Sequence, residues 1–404
     1  MTAGARKVDE DLARPTSRIP GFYRLDVPSR HRELSTRFGL DEEDLVTLGS
    51  ERPNDLAVAD KMVENCIGVL QMPVGLGLNF QVNGRDYTVP MVVEEPSVVA
   101  AASNMARVIR SSGGFEAEAT EPLMIAQVQV LDVDDPFEAR RRIEANAEQI
   151  VAEANQQQPR MFARGGGARS LEVRVLDGDP VMVVVHLLVD CRDAMGANLV
   201  NEMAEGVAPL LENITGGRVR LRILSNLSDR RMAWARCTIA EDLLLRSGHP
   251  GREVAAGVVE AYQFAAADPY RAATHNKGVM NGIDAVSVAT GNDWRGLEAG
   301  AHAYAARNGR YEPLTRWWHT DGLLHGEIEV PMAVGTVGGS TSTHPTLRTL
   351  RKVLEVESAN ELAMVMAAVG LAQNLAALTA LASEGIQRGH MNLHSRRFEI
   401  AVAE

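Results

Sequence analysis

One lysine and one aspartate in this chain sit in unusual settings for charged residues. Lys277 lies between an asparagine and a glycine in Thr274-His-Asn-Lys-Gly-Val-Met-Asn-Gly-Ile-Asp284, and Asp293 follows in Thr290-Gly-Asn-Asp-Trp-Arg295. The Asn-Gly and Gly-Asn pairs predict two tight turns, and turns on a packed scaffold often carry catalytic side chains. A cation and an acid delivered there suit a reaction that builds charge and moves a proton. The simpler alternative, a solvated turn lysine and an ordinary Asx turn, stays open on spacing alone. Two further groups carry chemistry. Glu94 and Glu95 stand before Pro96-Ser97, a good helix start, which places Glu95 just ahead of a helix N-terminus. His390 and His394 are four apart, so on a helix they would share a face and imitate a metal pair. No third ligand of matching spacing accompanies them, so no metal is expected.

The rest of the chain must position these groups. At 404 residues it is too long for one simple core, and two or three domains are expected. The 45% apolar and 23% charged content is that of a globular protein, and a net charge of −12 argues against a nucleic-acid partner. Cys66, Cys191 and Cys237 are few and scattered, which fits a reducing compartment and gives no zinc spacing. The N-terminus lacks the apolar core of a signal peptide, and a cytoplasmic location is expected. Residues 363–382 are apolar over a membrane-spanning length. They carry Gln373 and Asn374 at their centre and read as a buried helix, so no membrane association is expected.

Residues 1–50 are charged and interrupted by Pro15, Pro20 and Pro28, with a helical pattern from Arg30 to Val46; Ala57 to Cys66 is again helical. Pro73 to Gly77 reads as a turn, and Asn79–Val82 with Asp86–Val93 as a hairpin around Asn83-Gly84. A helix runs from Val98 to Arg110. From Met124 a strand, one helix (Pro136–Asn155), a Gly165-Gly-Gly167 loop, two strands (Leu171–Leu176, Val181–Val189), a helix (Leu199–Ile214) and a strand (Arg218–Leu224) follow. That β-α-β-β-α-β order is the ferredoxin-like pattern. Beyond 225 helices are expected at 239–246, 251–266, 298–307, 346–354 and 361–382, with a strand at 324–330 and a glycine loop at 331–341. The expected fold is therefore α+β, a large mainly helical domain with an inserted ferredoxin-like domain. Its large domain spans 1–119 and 225–385, the insert 120–224, and 386–404 stand apart. Within the insert, Asp193-Ala-Met-Gly-Ala-Asn198 joins a strand to a helix. Backbone N–H groups there would suit a pyrophosphate, although an ordinary turn capped by Asn198 fits as well.

These motifs together resemble hydroxymethylglutaryl-CoA (HMG-CoA) reductase, in its soluble bacterial class II form. The resemblance rests on Glu64-Asn-Cys-Ile-Gly68, Pro90-Met-Val-Val-Glu-Glu-Pro-Ser97, Asp193 to Asn198, Asp268-Pro-Tyr-Arg271, His275-Asn-Lys-Gly278, Gly291-Asn-Asp-Trp294, Gly338-Gly339 and Gly389-His-Met391, spread over nearly the whole chain. It implies a nicotinamide enzyme that interconverts HMG-CoA and mevalonate plus coenzyme A by two hydride transfers, through a hemithioacetal and an aldehyde. The oxidative, mevalonate-degrading direction is expected. Hydride addition puts negative charge on the carbonyl oxygen, which a fixed ammonium stabilises.

By this resemblance Lys277 takes the oxyanion role and Asp293 pairs with it and relays protons. Glu95, rather than its neighbour Glu94, supplies a proton at the aldehyde stage. His390, titrating near neutrality, protonates the departing thiolate. Arg271, Ser97 and Asn281 would meet the HMG carboxylate and carbonyl, an arginine being able to hold a carboxylate through two bonds. Arg24, Gln373, His394 and the Gly338-Gly339 loop would lie along the acyl-CoA. Asp193, Met195, Gly196, Asn198, Asn226 and Gln158 would line the nucleotide.

NAD is the expected cofactor, with NADP possible. NAD-preferring relatives place an acid before the triple glycine, whereas this chain has Gln158-Pro-Arg160 there. Residues 386–404 read as the start of a closing flap, and the sequence ends 14 residues after His390. A homodimer, or a larger homo-oligomer, with sites at the interface is implied, with Glu64 to Gly68 near the contact. Two other functions share the scaffold: a non-catalytic acyl-CoA-binding protein, and a lyase forming a Schiff base at Lys277.

Overall fold

A computed structural model describes residues 16–49, 55–246, 248–339, 344–383 and 385. Helices α1 (Val27–Phe38) and α2 (Glu42–Thr47) begin at capping aspartates: Asp26 accepts from the Ser29 N–H and Asp41 from that of Asp44. Helix α3 (Asp55–Met62) stops short of the expected Cys66. Strands β1 (Val74–Val82) and β2 (Arg85–Val92) form the expected hairpin, with Asn83 and Gly84 both at positive φ. Pro73 to Gly77 is not the turn expected, because Val74 to Gly77 belong to β1. Gly75 and Gly77 serve packing instead: a Cβ on Gly75 would lie 3.0 Å from Val99, and one on Gly77 3.0 Å from Phe80. Helix α4 (Val98–Arg110) crosses this hairpin, its Val98, Ala102, Met105, Ala106 and Ile109 buried.

Strand β3 (Glu116–Ala119) belongs to a second sheet described below. The chain then builds a separate unit from β4 (Leu123–Leu131), α5 (Pro136–Ala145), α6 (Ala147–Gln157), α7 (Pro159–Ala163), β5 (Gly167–Leu176), β6 (Met182–Asp190), α8 (Ala197–Thr215) and β7 (Arg218–Leu224). All pairings are antiparallel, in the order β5-β6-β4-β7, which is the ferredoxin-like arrangement. The single helix expected at 136–155 is two, divided at Asn146, and part of the expected glycine loop is α7. This unit has its own core, including Met124, Val128, Ile143, Ile150, Leu187, Met203 and Leu211.

The remainder returns to the larger core through β8 (Met232–Ala240), α9 (Gly251–Ala267), α10 (Pro269–Thr290), α11 (Trp294–Ala305), β9 (Thr315–Thr320), β10 (Leu323–Pro331), α12 (Pro345–Leu354) and α13 (Ala359–Ala382). The order β3-β8-β10-β9 makes the second four-stranded sheet. The helix expected at 239–246 is the end of β8 followed by a 3₁₀ turn at Glu241–Leu244. The inward face of β8 is Ala233, Ala235, Cys237 and Ile239, mostly small residues whose alternation is weak in sequence.

Helix α13 is apolar enough to cross a membrane, yet 89% of its most apolar window is buried inside the protein. Its closest neighbour is α10. A Cβ on Gly282 would meet Gln373 Cβ and the Val369 carbonyl at 3.0 Å, and one on Gly370 would meet Ile283 at 3.0 Å. Facing glycines therefore let the two axes approach. The protein is thus α+β, a helical larger core joined to a ferredoxin-like sheet.

Candidate active site

The turns expected around Lys277 and Asn281-Gly282 do not exist, because both lie inside the 22-residue helix α10. The motif works as two anchors and one exposed cation. His275 and Asn276 are buried on the inner face. His275 Nε2 lies 2.6 Å from Thr315 Oγ1, which donates to Asn374 Oδ1 at 2.9 Å, and Trp317 Nε1 donates to the same oxygen at 2.8 Å. With its one proton spent on Asn374, the Thr315 hydroxyl must accept from His275, which places the imidazole proton on Nε2. Burial, aided by nearby Arg271, lowers the His275 pKa to about 3, so it stays neutral. Asn276 donates to the Glu312 carbonyl and accepts from the Leu314 N–H, both at 2.9 Å. This buried network fixes the rotation of α10 and turns Lys277 outward.

Lys277 Nζ lies 3.1 Å from Glu95 Oε2, with the lysine side chain 62% and the glutamate 33% exposed. Glu94 is exposed, and the contact belongs to Glu95. Ser97, two residues on, caps α4 with φ 79, a left-handed value that costs a serine energy and is typical of functional turns. Asn281 lies one turn beyond Lys277 on the same face, half-buried. Gln373 faces the same helix from α13; it is buried, and its Oε1 has no partner among the described residues. Glu95, Lys277 and Asn281 are thus brought to one place, with Gln373 behind them.

Other expected members lie elsewhere. Arg271 is in the first turn of α10, half-buried, about 9 Å along the axis from Lys277 and a third of a turn round it. Arg24 is exposed, donates to the Tyr23 hydroxyl at 2.9 Å and lies over that ring. Gly338 and Gly339 lie in the loop after β10, both at positive φ. His390 and His394 fall outside the described residues.

Asp293 is not beside Lys277. It caps α11, accepting from the Gly296 N–H at 3.1 Å, and its neighbour Asn292 donates its N–H to the Ser287 carbonyl at the far end of α10. About 15 Å of helix axis separates Ser287 from Lys277. The expected Lys277–Asp293 pair is therefore not made within one chain. Asp293 and Asn226 lie instead on either side of Gly296, with Asp293 Oδ2 and Asn226 Oδ1 2.8 and 3.2 Å from where a Gly296 Cβ would sit.

Asn226 follows β7, and the loop before α8 lies close by. Gly196 caps α8 with φ 101, and a Cβ there would be 2.3 Å from Cys191 Sγ, so only glycine fits. No side chain among the described residues caps α8, which leaves its first N–H groups open to an anion, with Asn198 exposed in the first turn. Asp193 spends its Oδ1 on the Ala359 N–H at 2.9 Å, at the start of α13, and its carbonyl accepts from Thr336 and Val337. Gly335 seats against the Met195 backbone, where a Cβ would come within 2.3 Å of its nitrogen, and Asn292 bonds both the N–H and the carbonyl of Gly335 at 2.8 and 3.2 Å. Gln158 begins α7 and donates to Glu202 on α8. The residues present fit a dinucleotide at the α8 N-terminus, with Asp293 on the same side.

The sequence reading missed Asn292, Gly335 and Arg231, whose telling partners lie far off in sequence: Asn292 and Gly335 bond each other, and Arg231 reaches the Ala194, Met195 and Val334 carbonyls. Asn292, beside Asp293 in the Gly-Asn-Asp turn, carried the only local signal.

The HMG-CoA reductase family model, described as hydroxymethylglutaryl-coenzyme A reductase, matches residues 27–395. The 3-hydroxy-3-methylglutaryl-coenzyme A reductase of Archaeoglobus fulgidus is 51% identical over 388 residues, covering 95% of this chain and 87% of the relative. The reductase structure of Streptococcus pneumoniae superposes with a TM-score of 0.87 at 43% identity, covering 90% of this chain and 99% of that one. A class II reductase structure from the same organism, bound to NADPH in open conformations, superposes at 0.86 with 44% identity over 90% of this chain and 99% of that one. The Glu95–Lys277 pair, the uncapped α8 and these likenesses agree, and the chain belongs to the hydroxymethylglutaryl-coenzyme A reductase family.

Proposed function

We propose that this protein interconverts HMG-CoA and mevalonate plus coenzyme A with a nicotinamide cofactor, in a site shared by two copies of the chain. The observation that carries this reading is the Lys277–Glu95 contact of 3.1 Å, a cation and a proton donor held together by a helix and a turn. When bound, the nicotinamide supplies or accepts the hydride. Lys277 stabilises the oxygen that gains charge, and Glu95 hands a proton to it or takes one away. Asn281 and Ser97 hold the acyl carbonyl region, Gln373 offers its unpartnered oxygen to the substrate, and Arg271 binds the HMG carboxylate. His390 protonates the coenzyme A thiolate as it leaves, while His394, Arg24 and the Gly338-Gly339 loop line the acyl-CoA.

Asp293 enters from a second copy. Two observations support this: the helix axis between it and Lys277, and an exposed apolar segment after α3, where Ile67 and Leu70 are 101% and 91% exposed. Apolar surface of that kind marks a protein contact, and the same stretch contains Glu64 to Gly68. The larger unit (1–119, 225–385) then holds acyl-CoA, the insert (120–224) holds nucleotide, and 386–404 carry His390.

NAD is the preferred cofactor in this reading. Gln158 replaces the usual loop acid, but it holds the Glu202 carboxylate beside it, which can accept from a ribose 2′-hydroxyl and would repel a 2′-phosphate. Arg160, exposed on α7, favours NADP and is the reason to test both. The working direction is oxidative and the location cytoplasmic. Nicotinamide absorbance followed with HMG-CoA, and with mevalonate plus coenzyme A, using NAD(H) and NADP(H) in parallel, tests all of this. Oxidation of mevalonate with NAD is expected to be fastest, and absence of turnover with every pairing refutes the proposal.

A further inference from the structure

Arg231 is 3% exposed, and among the described residues its guanidinium makes no hydrogen bond to a carboxylate. It donates to three backbone carbonyls: Ala194 at 3.2 Å, Met195 at 3.0 Å, and Val334. The first two belong to the loop that starts α8, and the third to the loop after β10 in the larger core. A buried guanidinium is costly unless its donors are met, and its planar fork can meet several oxygens that an ammonium cannot.

The peptide geometry gives the contact a consequence. In a trans peptide the carbonyl and the following N–H point to opposite sides. With the Met195 carbonyl turned onto Arg231, the Gly196 N–H points away from it, at the start of α8 where anion-binding N–H groups gather. The loop is held from two other directions. Asp193 is tied to Ala359, Thr336 and Val337, and Gly335 to Asn292, next to Asp293.

We infer that Arg231 is a positioning residue that clamps the Asp193–Gly196 loop to the larger core, so that the anion-binding end of α8 is preformed and moves as one block with Asp293. The inference builds on the nicotinamide reading above, but its first test needs no nucleotide. Arg231→Lys keeps the charge and loses the fork. In the ligand-free enzyme, amide hydrogen exchange at Ala194, Thr336, Val337 and Ala359, whose N–H groups are hydrogen-bonded within or onto this loop, is expected to quicken tenfold or more in this variant, while amides of α6 and of residues 365–378 in α13 keep their wild-type rates. Unchanged exchange at those four amides, or equal acceleration throughout the fold, overturns the clamp.

The second test measures NADH and coenzyme A affinity by calorimetry. Arg231→Lys and Arg231→Ala are expected to weaken NADH binding about tenfold and leave coenzyme A within twofold. Millimolar guanidinium is expected to restore NADH binding to Arg231→Ala and not to Arg231→Lys. If Arg231→Ala does not fold, Arg231→Lys decides alone. Equal loss of both ligands makes Arg231 merely structural and overturns the inference. A wild-type enzyme that binds no nicotinamide nucleotide refutes the functional reading, and the exchange measurement still decides the clamp.

Discussion

Lys277 and Glu95 are 182 residues apart in sequence and 3.1 Å apart in space. One comes from the exposed face of α10, the other from the turn between β2 and α4, and no local signal links them. Because both side chains are partly exposed, the pair adds little stability. Substitutions there should therefore read out chemistry rather than folding.

Lys277→Ala is expected to lower kcat by at least ~10²–10³, the usual loss for one oxyanion partner, while NADH affinity stays near wild type. Single-turnover absorbance and nucleotide titration check this. A variant of near-normal kcat removes Lys277 from the reaction.

Asp293 both caps α11 and is assigned a proton-relay role. Asparagine caps helices nearly as well as aspartate, so Asp293→Asn should melt within about 0.5 kcal/mol of wild type yet lose most turnover. Equal activity in Asp293→Asn would show that the residue is a cap and nothing more.

A site shared between copies makes an unusual prediction. Lys277→Ala and Asp293→Asn, each inactive alone, should regain up to about a quarter of wild-type activity when refolded together, since mixed dimers carry one intact site. No recovery in a mixture shown to exchange subunits argues that each chain works alone.

Asp284, on the Lys277 face of α10, lies against Glu298, and its Oδ1 is buried with no hydrogen-bond partner among the described residues. Burial, then the neighbouring Glu298 carboxyl, raises the Asp284 pKa from 3.8 to about 8. The folded protein therefore holds a proton there that the unfolded chain has lost. The stability this contributes is fully present below the unfolded pKa and falls as pH rises toward about 8. Asp284→Asn should flatten denaturant midpoints over that window; an unchanged slope would place the titration elsewhere.

Gly196→Ala puts a methyl 2.3 Å from Cys191 Sγ at φ 101. A loss of roughly 1–3 kcal/mol is expected, with NADH affinity falling more than coenzyme A affinity. Thermal melts and paired titrations separate the two effects.

Much of the fold was legible. The β-α-β-β-α-β order follows from periodicity, the hairpin from the Asn83-Gly84 turn signal, and the burial of α13 from an apolar run with Gln373 and Asn374 at its centre, while the motifs carried the family. Strands β3, β8 and β9 were missed because short or alanine-lined strands alternate weakly. The glycines of α10 misled in the other direction. Asn-Gly is a strong turn signal locally, but Gly282 faces α13, and the closeness of two helices is a tertiary fact.

The sequence by itself determined the residue types, Glu95, Lys277, Asp293 and the Asp193–Asn198 loop, because local composition and spacing record what each segment can do. Only the tertiary structure decided which of them meet. It paired Lys277 with Glu95, set Asp293 beside Asn226 near the loop before α8, and buried Arg231 between the two units. The reason is physical: a helix rises 1.5 Å per residue and points each side chain by its rotation. The sixteen-residue step from Lys277 to Asp293 therefore became a separation that no side chain of one chain can bridge.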